Sequence, residues 1–332
     1  MHLIDNLSYS DPAVNLALEE FLMGRFRGGE TVLLFYVNDP AVVIGRNQIP
    51  YVEVNLEQVQ RRQVAVVRRI SGGGAVYHGP GNLNFSLIQA RGAEPFPSPG
   101  DAVRPVLESL KALGLPAILN GRHDILLDGM KVTGTAQYRA QGKCLTHGTL
   151  LVSADLDRLQ GILTCDSEVP FYRGRSSVRS PVTNLTHFRP GLTTAEVRDA
   201  LIPSFAAFHG SVTPVALGPA DWSVIHNLAR SKYGSWDWAV GRSPEFSIRR
   251  RARLPWGGCE ALIRIRRGIV TQLDVTAPDT APPALAKLAT NLIGSRYHPD
   301  AVAEAVQAVG LAPEVSVMSS PVTDWLYASF CW

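Results

Sequence analysis

Over residues 82–88 polar and apolar side chains alternate without a break. An extended chain there puts Asn82, Asn84 and Ser86 on one face and Leu83, Phe85 and Leu87 on the other. Such a strand belongs in a sheet with one face against a core and the other free to line a pocket. Comparable segments recur at short intervals. Residues 31–37 and 41–44 are rich in β-branched and aromatic side chains, separated by Asn38-Asp39-Pro40. Residues 64–69 and 75–78 flank Gly72-Gly73-Gly74, and 144–153 reads as another strand. Asp128-Gly129 between 125–127 and 131–137 predicts a tight primed hairpin, with Lys131, Thr133, Thr135 and Gln137 sharing a face of its second arm. Helices are predicted from Asp11-Pro12 to Leu22 and over 101–113, 156–163 and 195–208. Strands in quick succession joined by hairpins imply a mixed, mainly antiparallel sheet with flanking helices, an α+β class. Near Pro244 the texture changes to strands over 246–251, 260–267 and 269–275, with a hairpin glycine at Gly268, then two helices. We therefore expect two domains, 1–245 and a small α+β domain over 246–332.

Charge and cysteine content narrow the function classes. Lys and Arg number 32 against 29 Asp and Glu, with no long run of one sign, so nucleic acid is not expected as a partner. The four cysteines are dispersed, with no C-x-x-C pair for zinc and no dense framework of disulfides, and this fits a reducing compartment. The first residues resemble neither a secretory signal nor a transit peptide, and no apolar run approaches the roughly 18 residues of a membrane span. A cytoplasmic protein is expected, or one of the mitochondrial matrix if a leader has been removed, with no membrane partner.

The densest unusual stretch is Arg68-Arg69-Ile70-Ser71-Gly72-Gly73-Gly74-Ala75-Val76-Tyr77-His78-Gly79-Pro80-Gly81-Asn82. Consecutive glycines let backbone N–H groups approach phosphate oxygens, and arginine adds a planar donor fork. A plain surface loop is the competing reading. Neither a G-x-G-x-x-G fingerprint nor a P-loop is present, so phosphate binding would need another fold. Lys131, just after the hairpin turn, stands among hydroxyl and amide side chains where an ammonium can face two anions, although lysines at turns are commonly just solvated. His78 and His147 can act as acid or base, but lone histidines beside strands more often hydrogen-bond in a pocket. Asp124 is a candidate magnesium ligand or a turn-stabilising aspartate. Cys165 could carry an acyl group, yet no base adjoins it in sequence.

Taken together, these segments resemble the lipoate–protein ligase A and lipoyltransferase family. The matching stretches are Arg68-to-Ser86, Asn120-to-Asp124, Lys131-Val132-Thr133-Gly134-Thr135-Ala136, His147-Gly148-Thr149-Leu150-Leu151, Ser177-to-Leu185 and Trp236-Asp237-Trp238. The resemblance implies a catalytic domain like those of biotin ligases and class II aminoacyl-tRNA synthetases, plus a C-terminal accessory domain. It implies an enzyme that uses ATP and Mg2+ to activate lipoate as lipoyl-AMP, then transfers the lipoyl group to a lysine. The acceptors would be lipoyl domains of 2-oxoacid dehydrogenase E2 subunits and the glycine cleavage H protein, and the enzyme a monomer. The alternative is a lipoyl or octanoyl transferase using preformed lipoyl-AMP or an acyl carrier donor. By the same resemblance Lys131 is catalytic and touches both lipoate and nucleotide. Arg69, Gly74, Ala75, Val76 and Tyr77 would bind ATP; Ser71, Gly73, His78, Asn82 and His147 would meet lipoate; Asp124 would hold magnesium. Two departures from the family pattern are His123, where many relatives have another residue, often Asn, and a short turn before Lys131.

Overall fold

The structure, a computed structural model, describes residues 1–26, 28–90, 95–121, 123–163, 169–174, 176–178, 180–311 and 321–327. The chain gathers into two compact units, each built from separate stretches: Met1–Gly45 with Val67–Gln160 and Ser177–Ser235, and Arg46–Val66 with Gly161–Ser176 and Trp236–Trp332.

The first unit is built on an eight-stranded sheet. Its spatial order is Thr213–Pro214, His2–Asn6, Thr31–Tyr36, Asn82–Ala90, Lys143–Leu151, Met130–Ala140, Ile125–Leu127 and Ala117–Leu119. His2–Asn6 runs parallel to both its neighbours, and the other pairings are antiparallel. The sheet is thus mixed and mainly antiparallel. In Asn82–Ala90 the predicted division of faces holds: Leu83, Phe85 and Leu87 join Leu33, Phe35, Leu150 and the buried sides of helices Pro99–Ala112 and Thr194–His209 in one core. The opposite face carries Asn82, Asn84 and Ser86, and the register adds Tyr36, His147 and Thr149 beside them. This polar face is nonetheless buried, with Asn84 and Ser86 at 1% and 0% exposure. Helix Pro12–Arg25 starts where the sequence puts it, because Asp11 accepts the Ala13 and Val14 N–H groups at 2.7 and 3.3 Å and Pro12 follows.

The hairpin around Asp128-Gly129 forms as predicted, both residues having positive φ, 48° and 74°. Its second arm differs from the expectation. Ile125 pairs with Thr133 but Leu126 pairs with Lys131, so Val132 is an extra residue, a bulge. Thr133 and Thr135 pair with Leu150 and Gly148 on the core face. Lys131 therefore does not share their face: the bulge turns it to the polar side with Leu126, whose neighbours Ile125 and Leu127 point into the core.

The second unit has a four-stranded antiparallel sheet ordered Phe171–Tyr172, Phe246–Leu254, Gly257–Arg266 and Ile269–Thr276. Cys259, Ala261, Ile263 and Ile265 are buried on one side, and helices Ala284–Leu292 and Pro299–Ala308 each bury an apolar stripe. Arg267 and Gly268, with φ of 52° and 75°, make the tight turn expected at Gly268.

Phe85 is fully buried at the centre of the larger core. Phe85→Ala should lower the unfolding free energy by about 3–5 kcal/mol in a urea titration, whereas a surface strand there would lose far less.

Candidate active site

Strand Ala65–Arg68 ends in a turn that doubles back over the sheet, and its shape is fixed by Arg69. The Arg69 guanidinium is 5% exposed and donates to Ser71 Oγ (2.9 Å), Val43 O (2.9 Å), Gly72 O (2.6 Å) and Gly74 O (2.8 Å). One side chain therefore binds three backbone carbonyls, two of them in the triple-glycine turn. Burial lowers its pKa to about 10, and the charge of Glu19 acts against that shift, so it remains cationic at neutral pH. Gly73 has φ of 95°, and any Cβ there would lie 2.8 Å from Arg69 Nη2. Gly45 lies directly against the turn: a Cβ on it would sit 2.2 Å from Gly73 O. On the other flank Ser177 Oγ accepts the Ala75 N–H at 2.8 Å.

Behind the turn lies a buried charge chain. Ser71 Oγ is 2.6 Å from His147 Nε2, and His147 Nδ1 is 3.0 Å from both oxygens of Glu19. Glu19, fully buried in helix Pro12–Arg25, also accepts from the Tyr36 and Ser86 hydroxyls. Burial alone would raise its pKa, but the attraction to His147 and the hydrogen bonds from His147, Ser86 and Tyr36 outweigh that and hold it below the ordinary carboxylate value. An ionised Glu19 this close keeps a proton on His147 Nδ1. The chain Glu19, His147, Ser71, Arg69 thus braces the glycine turn from within the unit.

His78 is held by another relay. Asn6 Nδ2 donates to Asn15 Oδ1, Asn15 Nδ2 to Asn38 Oδ1, and Asn38 Nδ2 to His78 Nδ1 at 2.8 Å. His78 Nδ1 is then an acceptor and Nε2 carries the proton. Burial, with the charges of Arg69 and His147, drives its pKa down to about 3, so the ring stays neutral. Nε2 and the Oδ1 atoms of Asn82 and Asn84 are buried without hydrogen-bond partners among the described residues. They are groups a polar ligand could satisfy, and in this tautomer His78 donates a hydrogen bond but cannot take up a proton.

Lys131 meets this assembly from the hairpin. Its Nζ lies 2.9 Å from Asp124 Oδ1 and 3.2 Å from where a Gly134 Cβ would stand, so the ammonium lies over Gly134 on the polar face. Gly73 stands over Ala136 of the same strand and face, 3.9 Å from that methyl to its own Cβ position. Residues two apart in a strand are separated by roughly 7 Å. The ammonium and the glycine turn are therefore neighbours. Its side chain is 26% exposed, which leaves it open to a ligand without being freely solvated. Residues 181–183 fix its backbone: Lys131 N–H donates to Pro181 O (2.9 Å) and Thr183 N–H to Lys131 O (3.1 Å). One segment, from Ser177 to Thr183, thus touches both the turn and the lysine.

Comparisons with known proteins give the family. Residues 11–206 match the model of the lipoyl protein ligase A/B catalytic domain, and 243–326 match that of the bacterial lipoate protein ligase C-terminus. The chain belongs to the lipoyl protein ligase A/B family. It is 34% identical over 314 residues to lipoate-protein ligase LplJ of Bacillus subtilis (strain 168), covering 94% of this chain and 95% of that protein. A lipoate-protein ligase A bound with ATP is similar over 73% of this chain and all of its own length, at 29% identity and TM-score 0.62. Two Thermoplasma acidophilum structures are also similar. One is a putative lipoate protein ligase with bound lipoic acid, at 28% identity and TM-score 0.61 over 72% of this chain and 98% of its own. The other is a bi-partite ligase and its E2 lipoyl domain, at 27% identity and TM-score 0.62 over 73% and 96%.

The residues singled out from sequence in this ligase family member, Arg69, Ser71, Gly73 to His78, Asn82, Asp124, Lys131 and His147, all lie in the first unit. Arg69 faces the carbonyls of the turn and holds the loop in shape. His123 has φ of 64°, a left-handed backbone that asparagine adopts more readily. Among the described residues no cluster of three or more His, Cys, Asp or Glu could hold a metal, and Cys165 lies outside those residues. Sequence reading missed Glu19, Tyr36, Asn38 and Gly45. Only Glu19 left a signal: an acid three residues from both Leu16 and Leu22, within the apolar stripe of its helix.

Glu19→Gln should cost about 1–3 kcal/mol at pH 7, because His147 and the two hydroxyls lose their charged acceptor. Since the folded pKa is depressed, Glu19's contribution is complete above the unfolded carboxyl pKa and lost as pH falls through the folded value. Urea titrations should therefore show a gap between wild type and variant at pH 7 that narrows below about pH 4; equal stabilities at pH 7 would show that the charge is not used.

Proposed function

We propose that this chain is an ATP-dependent lipoate–protein ligase, which joins lipoate to AMP and then passes the lipoyl group to a lysine of an acceptor protein. The observation that carries this reading is the Val132 bulge, which delivers the Lys131 ammonium to the polar face beside the glycine turn. Its support from relatives lies in ligases named for lipoate and in similar structures holding ATP or lipoic acid.

In the first step a lipoate carboxylate oxygen attacks the α-phosphorus of ATP. A P–O bond forms, the bond to the β-phosphate oxygen breaks, and pyrophosphate leaves. Negative charge gathers on the α-phosphoryl oxygens, where Lys131 would face both anions. Gly74, Ala75, Val76 and Tyr77 would follow the nucleotide along the backbone, Arg69 keeping those groups in place. Ser71, Gly73, His78, Asn82 and His147 would border lipoate, with His78 Nε2–H as donor to a polar group. Magnesium bound with ATP would supply charge neutralisation on the phosphates, and Asp124 is the carboxylate available for it; one protein carboxylate suits an ion that keeps waters and phosphate oxygens as ligands. In the second step an acceptor amine attacks the lipoyl carbonyl, an amide C–N bond forms, and AMP departs with the bonding electrons. The acceptors in this proposal are lipoyl domains of 2-oxoacid dehydrogenase E2 subunits and the glycine cleavage H protein; a T. acidophilum neighbour was studied with its E2 lipoyl domain.

The proposed division into a catalytic domain over 1–245 and an accessory domain over 246–332 is supported by the C-terminal family model at 243–326, although 46–66 and 161–176 join the second unit. A monomer in the cytoplasm belongs to the same proposal. Among the described residues no helix is long and apolar enough to cross a membrane.

Lys131→Ala should reduce lipoate-dependent pyrophosphate release by at least 10³-fold, the scale of losing a main charge-stabilising group, with the unfolding midpoint unchanged. Near-normal release would remove the assignment. Absence of pyrophosphate from the wild type, with transfer from an acyl carrier intact, would favour the thioester route instead.

A further inference from the structure

The sheet of the second unit buries one side and leaves the other open. On that open side the register sets Arg249, Arg251 and Arg253 of one strand opposite Leu262, Glu260 and Gly258 of the next, whose Arg264 and Arg266 lie on the same face. The only carboxylates on the same face of these strands are Glu260 and Asp274. Five arginines against two acids leave an excess of three positive charges, which equals the formal net charge of the entire chain.

Its internal pairing is incomplete. Glu260 serves two arginines, with Arg249 Nε at 3.2 Å and Arg251 Nε at 2.7 Å, while Asp274 accepts from Gln272. Arg253, Arg264 and Arg266 are exposed and have no carboxylate within ion-pair distance among the described residues. A solvated sheet face has no need of arginine alone, and lysine is absent from all of 233–286. Guanidinium groups form planar forks that grip carboxylates with two parallel hydrogen bonds, and they give up water more readily than ammonium. At the edge of this face stands one exposed aromatic ring: Phe171, 41% exposed, aligns with Ser247. Exposed aromatic rings beside arginines are the composition of protein-docking surfaces. The two acids set among the arginines oppose a continuous phosphate backbone, and the face presents no broad apolar area for a lipid surface.

We propose that this open arginine face docks a carboxylate-rich surface of the acceptor protein. The inference rests on the ligase reading for the identity of the partner. Docking here acts on encounter and affinity, not on adenylate formation, because paired surface charges chiefly set the rate and specificity of association and weaken as salt rises.

The test uses the full chain with Arg264→Glu and Arg266→Glu together, and with both changed to Lys as a control of charge. The probe is an apo E2 lipoyl domain, followed by fluorescence anisotropy, beside a single-stranded oligonucleotide and phosphatidylserine vesicles. Expected are at least a 10-fold rise in Kd for the domain in the glutamate pair, a rise of less than 3-fold in the lysine pair, and wild-type binding that weakens between 50 and 200 mM NaCl, roughly the range over which the Debye length shortens by half. Lipoate-dependent pyrophosphate release should stay within 2-fold of wild type in both variants, which shows them folded and active. Unchanged Kd for the domain in the glutamate pair overturns the proposal, as does wild-type binding to the oligonucleotide or vesicles in preference to the domain. Failure of wild-type pyrophosphate release would instead count against the ligase reading, leaving the anisotropy result to judge the docking face separately.

Discussion

Everything at this site depends on which side of a sheet one lysine occupies. In a regular strand Lys131 would share a face with Thr133 and Thr135, and that face belongs to the core around Phe85 and Leu150. An ammonium there would be buried among hydrocarbon, at a cost no fold of this size could carry without a partner. The extra residue Val132 reverses the parity. It sends its own side chain into the core and moves Lys131 over Gly134, where the lack of a side chain leaves room for it. Bulges are a common means of re-aiming a side chain beside a reaction centre, and this one has that effect.

The second requirement is a rigid anion cradle, which glycine by itself cannot supply, since the freedom that allows its unusual backbone also allows it to wander. The rigidity comes from below. Glu19, buried and ionised, orients His147; His147 meets Ser71; Ser71 and three carbonyls hold Arg69. A buried charge chain of this kind is tolerable only when nearly every member is satisfied, and that completeness makes it stiff. His78, Asn82 and Asn84 of the same unit carry orphaned polar atoms that a ligand could complete. Rigid support and unfilled contacts side by side are what a binding site needs before its substrate arrives.

Much of this was legible in the chain. The alternation over 82–88 gave both the core face and the polar face, and Asp128-Gly129 gave the hairpin, because each depends on local chemistry alone. The family resemblance, carried by a long ordered set of segments, named Lys131, Asp124 and the glycine turn as one site, and these are brought together in one unit. What stayed hidden depends on contacts distant in sequence. A one-residue bulge leaves no mark in an alternation of Lys, Val, Thr and Gly. The need for Gly45 arises only when the turn 28 residues later folds back against it. The tautomer of His78 is decided by three asparagines on other elements. The charge of Arg69 is visible in sequence, whereas the carbonyls it also holds are not.

The central claim is spatial: one ammonium reaches both the acid and the nucleotide. A crystal structure of the chain with a non-hydrolysable lipoyl-adenylate analogue tests it most directly. The account predicts Lys131 Nζ within about 3 Å of both the acyl oxygen and a phosphoryl oxygen, normal distances for charge-assisted hydrogen bonds. It also predicts the phosphoryl group lying against the backbone of Gly73 to Ala75. A ligand seated elsewhere, with Lys131 still paired to Asp124 and touching neither group, would contradict it.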